Sequence, residues 1–319
     1  MRKILKYGLY TLGALLLLVL LFATYNILAP LPTYPVQLPE KVDIPYGDSL
    51  ALARGAKIVN TQCAMCHRGS NGKFIGQPAP EKEFGDFYIA NITNHPEAGI
   101  GKYSDAELVH LLRTGLRPNG ELLLPIMSSL TNMSDQDISS IVAYLRSDAV
   151  PVQPEEKFWP DAQLSFLAKA LMRFAFKPNP MPDAPIVAPD ISDLVAHGEY
   201  LANDVFECYN CHSASFQTNN TLQPELSEGF YGGGNVIGWF DGEIYTSANL
   251  TQHPTHGLGQ WTQADFARVM REKKRPDGQM LAPAMPLYAA LTDEEIAALW
   301  AYLQTVPVQE NAVLAATPQ

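Results

Sequence analysis

Cysteine is scarce in this sequence of 319 residues, because the four at positions 63, 66, 208 and 211 are the whole supply. None lies in the N-terminal region, so no cysteine there can accept a lipid. Positive charge is also in short supply. Beyond residue 29 the chain has 19 Lys and Arg against 33 Asp and Glu, a net charge of −14. That balance argues against nucleic acid or an anionic lipid surface as a partner, and a basic protein surface would be its natural complement.

Long apolar runs are absent except at the N-terminus. Residues 7–29 form an uncharged stretch that could cross a hydrocarbon core of ~30 Å at ~1.5 Å per residue. Arg2, Lys3 and Lys6 precede it, which predicts a cytoplasmic N-terminus. The alternative is a cleaved signal peptide, which would have a shorter apolar core and a clear Ala-x-Ala site. The sequence therefore favours a transmembrane anchor over residues 1–30 of an inner-membrane protein, with the remainder on the periplasmic side.

The rest of the chain contains an internal repeat. Residues 90–145 align without a gap on residues 248–303, at a constant offset of 158. The matched identities include Asn91/Asn249, Pro96/Pro254, Arg113/Arg271, Pro125/Pro283 and Met127/Met285. The second copy carries 13 extra residues, around a loop at 222–243 that is rich in glycine and aromatic residues. Two domains of one architecture are predicted, at 31–150 and 191–319, joined by a proline-rich linker at 151–190.

Local patterns predict helices, and no convincing alternating strand pattern is found. A helix at 49–60, or at 192–204 in the second copy, leads into each cysteine pair. Later helices start where a hydroxyl residue is followed three positions on by a carboxylate, the capping-box form, at Ser104, Ser134, Thr262 and Thr292. The linker contains one amphipathic helix, about 161–176, which either packs on the domains or contacts a membrane surface or partner. The predicted fold class is all-α.

Both cysteine pairs have the form Cys-x-x-Cys-His. A dithiol redox site needs a preceding strand, which is not predicted. A zinc site or a disulfide is the weaker interpretation, because each pair lies in its own repeat copy with its own histidine. Covalent haem c attachment fits best, since two intervening residues place the thiols about one helical turn apart, matching the two vinyl groups of the porphyrin. The residues concerned are Cys63, Cys66, His67, Cys208, Cys211 and His212, with each histidine coordinating iron.

With these motifs, the chain resembles class I cytochrome c domains. "CAMCH" and "CYNCH" are each followed by a Pro-x-Met and then by a capped helix with Ala-Tyr-Leu. The stretches "HPEAGIGKYSDAELVHLLRTGLRPNG" and "LMRFAFKPNP" are similar to the cytochrome c subunits of membrane-bound alcohol and related dehydrogenases. The resemblance covers nearly all of residues 45–307 and implies two tandem class I cytochrome c domains after an N-terminal transmembrane helix, with two covalently attached haem c groups. Those subunits usually have three haem domains, whereas this chain has two.

The resemblance also implies that a methionine is the second axial ligand of each iron. Met127 and Met285 match in the repeat and stand in the loop before the last helix of each copy. Met133 is a rival in the first copy, and His95 and His253 are weaker rivals. Two arginines of the first copy recur at the matching positions of the second. An arginine that stays charged could donate hydrogen bonds to a haem propionate, and the alternative is a solvated or capping role. These positions are Arg113/Arg271 and Arg117/Arg275, with Tyr103/Trp261 as possible helpers.

Two irons, each held by histidine and methionine, predict an electron carrier and not an enzyme. Electrons would enter from a membrane-bound, periplasm-facing dehydrogenase or a quinol-oxidising respiratory complex, and leave to a terminal oxidase or a soluble cytochrome. The alternatives are a dihaem enzyme of the peroxidase or thiosulfate-oxidising type, and a structural subunit with incidental haems. The loop at 222–243 is either a docking surface or a lid over the second haem. Its aromatic residues are Phe230, Tyr231, Trp239 and Phe240.

Overall fold

The computed structural model describes residues 2–310, and helices dominate it. One long N-terminal helix precedes two similar sets of short helices, and the strands found in the described part are two or three residues long. In chain order, the elements are α1 (Arg2–Leu28), α2 (Ser49–Ile58), α3 (Ala64–His67), β1 (Gly85–Asp86), α4 (Asp105–Thr114), α5 (Asp135–Leu145), β2 (Gln163–Leu164), α6 (Phe166–Phe174), α7 (Leu194–Tyr200), α8 (Cys208–His212), β3 (Val236–Gly238), β4 (Ile244–Thr246), α9 (Gln263–Glu272) and α10 (Asp293–Leu303). The end of the predicted second domain, residues 311–319, lies outside the described residues.

Hydroxyl residues cap the helices at the predicted starts. α4, α9 and α10 begin with complete capping boxes, in which the side-chain and backbone groups of the first and fourth residues bond reciprocally. Ser134 caps α5, but the Asp137 carboxylate accepts hydrogen bonds from Arg54 and Tyr200 and does not close the box. The prediction of a fourth box is therefore wrong, because the backbone amide of Ser134 donates to the Tyr200 hydroxyl at 3.0 Å and not to Asp137.

In both copies, the helix before the cysteine motif crosses the last helix at very short range. α2 crosses α5, and α7 crosses α10. A glycine stands at each crossing: a Cβ on Gly55 would lie 2.0 Å from the Ser140 carbonyl oxygen, and a Cβ on Gly198 would lie 1.9 Å from that of Ala298. Ser140 and Ala298 are separated by the repeat offset of 158, so the same close approach recurs. Only glycine permits two backbones to come this near.

A largely buried ion network joins the two copies. Arg54 of α2 donates to Asp137 in its own copy at 2.7 Å and to Glu295 of α10 at 2.8 Å. Lys57 donates to Glu295 at 2.6 Å. Tyr200 reaches back from the second copy and donates to Asp137 at 2.6 Å. Because Arg54 binds a carboxylate of each copy, and its loss would leave both carboxylates short of a bond in a largely buried place, the network holds the copies in one arrangement.

α1 has the length and composition of a membrane span. It is 27 residues long, its most apolar window has a mean hydropathy of 2.2, and almost none of that window is buried. No other helix within residues 2–310 has this length and composition. The linker helix α6 contacts the end of α1 and is shorter than the predicted 161–176, because Ser165 caps its start. Immediately before it, β2 pairs with β1 and ties the linker to the first copy.

Two local features were not anticipated. The short strands form two antiparallel pairs, β1 with β2 and β3 with β4, and each is too short to produce a detectable alternation of polar and apolar residues. In addition, the helix before each cysteine pair ends in a π-helical turn, at Val59–Cys63 and at Leu201–Val205. Single π-helical turns occur frequently beside functional sites.

Candidate functional site

Each Cys-x-x-Cys-His motif lies at a short helix that follows a π-helical turn. In the first copy the turn includes Cys63 and continues into α3, which carries Cys66 and His67. In the second copy Phe206 and Glu207 separate the turn from α8, and Glu207 has a left-handed φ of 45°. This conformation is uncommon for residues other than glycine. The helical backbone places the thiols of each pair about one turn apart, as the spacing predicts.

The two motif histidines are oriented in the same way. Nδ1 of His67 lies 2.8 Å from the carbonyl oxygen of Ala90, and Nδ1 of His212 lies 2.7 Å from that of Ala248. Since a carbonyl can only accept, Nδ1 carries the proton and Nε2 has the lone pair. Burial lowers the pKa of both imidazoles, which favours their neutral form. Each ring is thereby held in the tautomer that a metal ligand requires.

The four cysteines are partly buried, and no disulfide joins any two of them. Burial raises the pKa of Cys66 to about 11 and of Cys63, Cys208 and Cys211 to about 12. Protonated thiols do not suit a dithiol redox site, whose chemistry needs a thiolate. The Glu207 carboxylate and then the Cys66 thiol raise the pKa of Cys211 further.

The methionines predicted as ligands occupy matching turns. The backbone amide of Met127 donates to the Leu124 carbonyl at 3.2 Å, and that of Met285 donates to the Ala282 carbonyl at 3.1 Å. Both methionine side chains are half-buried and pack on the hydrophobic core. The rival Met133 is fully buried, as expected of a residue that fills the core.

The arginines considered as propionate donors hold the loop before each last helix. Arg113, only 2% exposed, donates to the carbonyls of Leu130, Thr131 and Met133 and to the Asp135 carboxylate. Arg271 forms the corresponding bonds to Leu291 and Asp293, each at 2.8 Å. The geometry of this pair favours the capping alternative, because the guanidinium groups bind loop carbonyls and the first turn of α5 or α10. The other pair forms ion pairs close in sequence, Arg117 with Glu121 and Arg275 with Asp277.

The histidines considered as rival ligands stabilise local turns. Nδ1 of His95 accepts from the backbone amides of residues 97 and 98. Nδ1 of His253 likewise accepts from the amides of residues 255 and 256, and its ring stacks on His256 at 4.8 Å between centroids. Because Nδ1 accepts, a neutral ring carries its proton on Nε2, so neither nitrogen has a lone pair free for a metal.

Hydrogen bonds join the methionine loop of the first copy to the region of the cysteine motif in the second. Asn210, between the two cysteines of the second motif, donates to the hydroxyl of Ser128 at 3.2 Å. Ser128 directly follows Met127 in the loop of the first copy. Farther along the same loop, Asn132 donates to the carbonyl of Thr221 at 3.3 Å. The methionine loop of the first copy therefore packs directly on the cysteine motif of the second.

The loop unique to the second copy divides into two parts. Phe230 and Tyr231 are 8% and 0% exposed, and the Tyr231 hydroxyl donates to Asn203 at 2.8 Å. Trp239 and Phe240 stand at the turn between β3 and β4, half-buried, with ring centroids 5.1 Å apart. The docking alternative is wrong for Phe230 and Tyr231, because their rings belong to the core of the second copy.

Both copies match one known protein family. The cytochrome c family profile covers residues 52–148 and 195–307, which together are well over half of the chain and include both motifs. The chain belongs to the cytochrome c family. The donor groups of this cytochrome c fit the cofactor, because each copy offers two thiols one helical turn apart and an imidazole with a lone pair on Nε2. The protein carries covalently bound haem c, and that prediction is confirmed.

Relatives of this cytochrome c include subunits of dehydrogenases. The cytochrome c subunit of the quinone alcohol dehydrogenase of Gluconacetobacter polyoxogenes is 27% identical over 277 residues, which are 82% of this chain and 57% of the relative. The fructose dehydrogenase cytochrome subunit of Gluconobacter japonicus is 28% identical over 312 residues, 92% of this chain and 59% of the relative. A dihaem c-type cytochrome of Cereibacter sphaeroides is 26% identical over 261 residues, 78% and 83% of the two chains. The chain thus spans just over half the length of the dehydrogenase subunits, and the predicted resemblance to them is confirmed.

Two carboxyl groups beside the second motif predict that stability depends on pH. Burial raises the pKa of Asp204 and of Glu207 to about 7. Between pH ~4 and ~7 the folded protein then binds more protons than the unfolded chain, so this contribution to stability is lost as the pH rises through ~7. We expect the free energy of unfolding to fall by about 5 kcal/mol from pH 5 to pH 8 through these two groups, roughly half of it from each. Denaturant titrations followed by circular dichroism measure it.

The double variant Asp204→Asn with Glu207→Gln separates this effect from other titrating groups. It should show a flatter dependence of stability on pH than the unaltered protein over the same range. Glu243→Gln is the matched control, because Glu243 is exposed on the hairpin loop and should leave the slope unchanged. An equally steep loss of stability in the double variant would contradict the expectation.

Proposed function

We propose that the chain is a membrane-anchored dihaem cytochrome that passes electrons through two tandem class I cytochrome c domains in an all-α fold. The observation that carries the proposal is the hydrogen bond between Asn210 and Ser128, at 3.2 Å. It joins the cysteine motif of one copy to the methionine loop of the other, so the two candidate sites share an interface. Electrons can then cross between sites within one chain. The proposed domains are 31–150 and 191–319, after an anchor at 1–30 and a linker at 151–190.

Each proposed site uses four side chains of its own copy. The first comprises Cys63, Cys66, His67 and Met127, and the second comprises Cys208, Cys211, His212 and Met285. The thiols would hold the haem covalently, and the histidine Nε2 atoms and the methionine sulfurs would bind its iron. The bound group supplies one-electron chemistry. The chain orients the imidazoles through Ala90 and Ala248 and holds the methionine loops in place.

Electron transfer is favoured over catalysis by the repetition of the whole donor set. A dihaem enzyme needs at least one exchangeable axial position. Here the turn that holds Met127 recurs at Met285, with equivalent backbone hydrogen bonds. A thioether ligand stabilises the reduced iron and raises its potential, which suits a carrier. We therefore assign neither site to substrate chemistry.

The proposed electron donor is a periplasm-facing membrane dehydrogenase or a quinol-oxidising complex, and the proposed acceptor is a terminal oxidase or a soluble cytochrome. Support comes from the relatives named as cytochrome subunits of alcohol and fructose dehydrogenases. The apolar α1 would hold the haem domains at the inner membrane, on its periplasmic side. Purification in a mild detergent, with identification of the subunits that co-purify, tests this assignment. Isolation as a single chain that no dehydrogenase or quinol-oxidising complex reduces would contradict it.

Carbon monoxide distinguishes the carrier from the dihaem enzyme. We expect less than about 5% of the haem in the reduced protein to bind it within seconds, because the proposed methionine ligands block access to iron. The absorbance change on mixing measures the bound fraction. Met285→Ala is the positive control and should bind carbon monoxide at the second site. Rapid binding at full occupancy in the unaltered protein would overturn the proposal in favour of an enzyme.

A further inference from the structure

The linker helix α6 exposes an apolar face. Phe166, Leu167 and Phe174 are 46%, 50% and 59% exposed. They share one side of the helix, because Leu167 and Phe174, seven residues apart, are nearly aligned around its axis and Phe166 lies within about 100° of both. On the opposite side, Ala168 and Met172 are 0% and 4% exposed and pack on the protein. Exposed aromatic and aliphatic side chains in one patch indicate a surface that a membrane or another protein covers.

Aromatic contacts make this face continuous with the surface of α1. The Phe22 ring lies 6.1 Å from the Phe166 ring and 5.8 Å from the Phe174 ring, measured between centroids. Phe22 is itself 44% exposed. It precedes the last residue of α1, Leu28, by six positions, a distance of ~9 Å along the helix axis. The α6 rings therefore lie beside the last two turns of α1, and not beyond its end.

Buried polar contacts fix α6 in this place. Arg173 donates to the carbonyls of Ala29 and Pro30, immediately after α1, and to the side chain of Asn26 at 3.3 Å. Asn26 is fully buried and donates to the Phe166 carbonyl at 2.9 Å. A cation at this end of a helix also interacts favourably with the helix dipole. Separation of α6 from α1 would leave these buried groups unpaired, so the two helices stay together.

We propose that the apolar face of α6 lies in the lipid bilayer, at the boundary between headgroups and acyl chains on the side where α1 ends. The proposal rests on the proposed membrane span of α1. Lipid is favoured over a protein partner because the same acyl chains that surround α1 at Phe22 would contact Phe166 and Phe174. The net charge of −14 beyond residue 29 argues against electrostatic attraction to anionic lipid. Burial of apolar surface drives the contact, as for other interfacial helices, and α6 sets the height of both domains above the membrane.

Spin labels at three positions test this contact in the full-length protein with its haem attached. Leu167→Cys reports on α6, Leu16→Cys reports on the middle of α1, and Leu226→Cys is a matched control on the second copy, where Leu226 is 63% exposed. The native cysteines are occupied by haem, so each variant has one free thiol for a nitroxide. The protein is placed in phosphatidylcholine nanodiscs. Collision of each label with oxygen, which enters lipid, is compared with collision with a water-soluble nickel chelate.

A lipid contact predicts an oxygen-to-nickel collision ratio at position 167 several-fold above that at position 226, with position 16 higher still. A ratio at 167 equal to that at 226, with a high ratio at 16, would overturn the lipid contact while leaving the membrane span intact. Low collision with both reagents at 167 would mean that protein covers α6, and would overturn it as well. A water-like ratio at position 16 would show that α1 does not span the membrane, and the contact would fail together with that part of the proposed function.

Discussion

Met285→Ala is expected to remove about half of the sulfur-to-iron charge-transfer absorbance of the oxidised protein, because one of two proposed thioether ligands is lost. One of the two midpoint potentials should fall by on the order of 100 mV, since the thioether favours reduced iron and axial ligands tune potentials over roughly 0.8 V. The turn itself should persist, because its hydrogen bond to Ala282 uses the backbone amide. Absorption in the red region and a spectroelectrochemical titration measure the two effects.

Other methionines provide matched controls. Met280→Ala removes an exposed methionine from the same region of the second copy and should change neither the band nor the potentials. In the first copy, Met127→Ala should remove the other half of the band, whereas Met133→Leu preserves core packing and should retain it. If Met133→Leu abolished the absorbance and Met127→Ala left it intact, the ligand of the first copy would be Met133.

Gly198→Ala is expected to lower the free energy of unfolding by about 3 kcal/mol, at the upper end of what overpacking a core costs. The added Cβ would lie 1.9 Å from the carbonyl oxygen of Ala298 and 2.9 Å from the Cβ of Tyr302. The first obstacle is backbone, so it cannot rotate away, and α7 and α10 must separate. Urea titration of the mature protein, followed by circular dichroism, measures the loss of stability.

Gly238→Ala is the control for this substitution. Gly238 lies on β3, and a Cβ there would meet nothing within 4 Å. It should change the free energy of unfolding by less than about 0.5 kcal/mol, as surface substitutions usually do. Gly55→Ala should reproduce the loss in the first copy, where the Cβ would lie 2.0 Å from the Ser140 carbonyl. Stability equal to that of the control in either helix variant would show that the crossing has room for a methyl group.

The parts of the site that depend on short sequence spacing could be predicted. Two intervening residues put Cys63 and Cys66 about one turn apart on any helical backbone, and the adjacent His67 follows from the same local geometry. The repeat offset also puts Met127 and Met285 at matching positions, where they form the same turn, and their role as ligands stays a prediction. Helix starts were predictable for the same reason, since a capping residue bonds within its own first turn.

Interactions between distant residues could not be predicted in this way. Asp137 has the spacing of a capping-box carboxylate, yet it binds Arg54 and Tyr200, which lie 83 and 63 positions away. The charge of Arg113 left two interpretations open, a propionate donor or a solvated or capping residue, and in the structure it holds loop carbonyls 17 to 20 positions on. The choice between such partners depends on which helices pack together, and no local pattern carries that information.

The sequence by itself determined the cofactor chemistry, the duplication and the apolar N-terminal helix, because each depends on residue type and on spacing within one or two helical turns. The tertiary structure alone decided how these parts meet. It brought Ser128 to Asn210, 82 positions apart, so that one candidate site borders the other. It also placed Arg173 at the end of α1, 147 positions from Asn26, where the linker helix joins the anchor. These contacts form because folding buries apolar faces from the whole chain against each other. Which residues then meet depends on the packing between elements, and the pattern within one element does not contain that information.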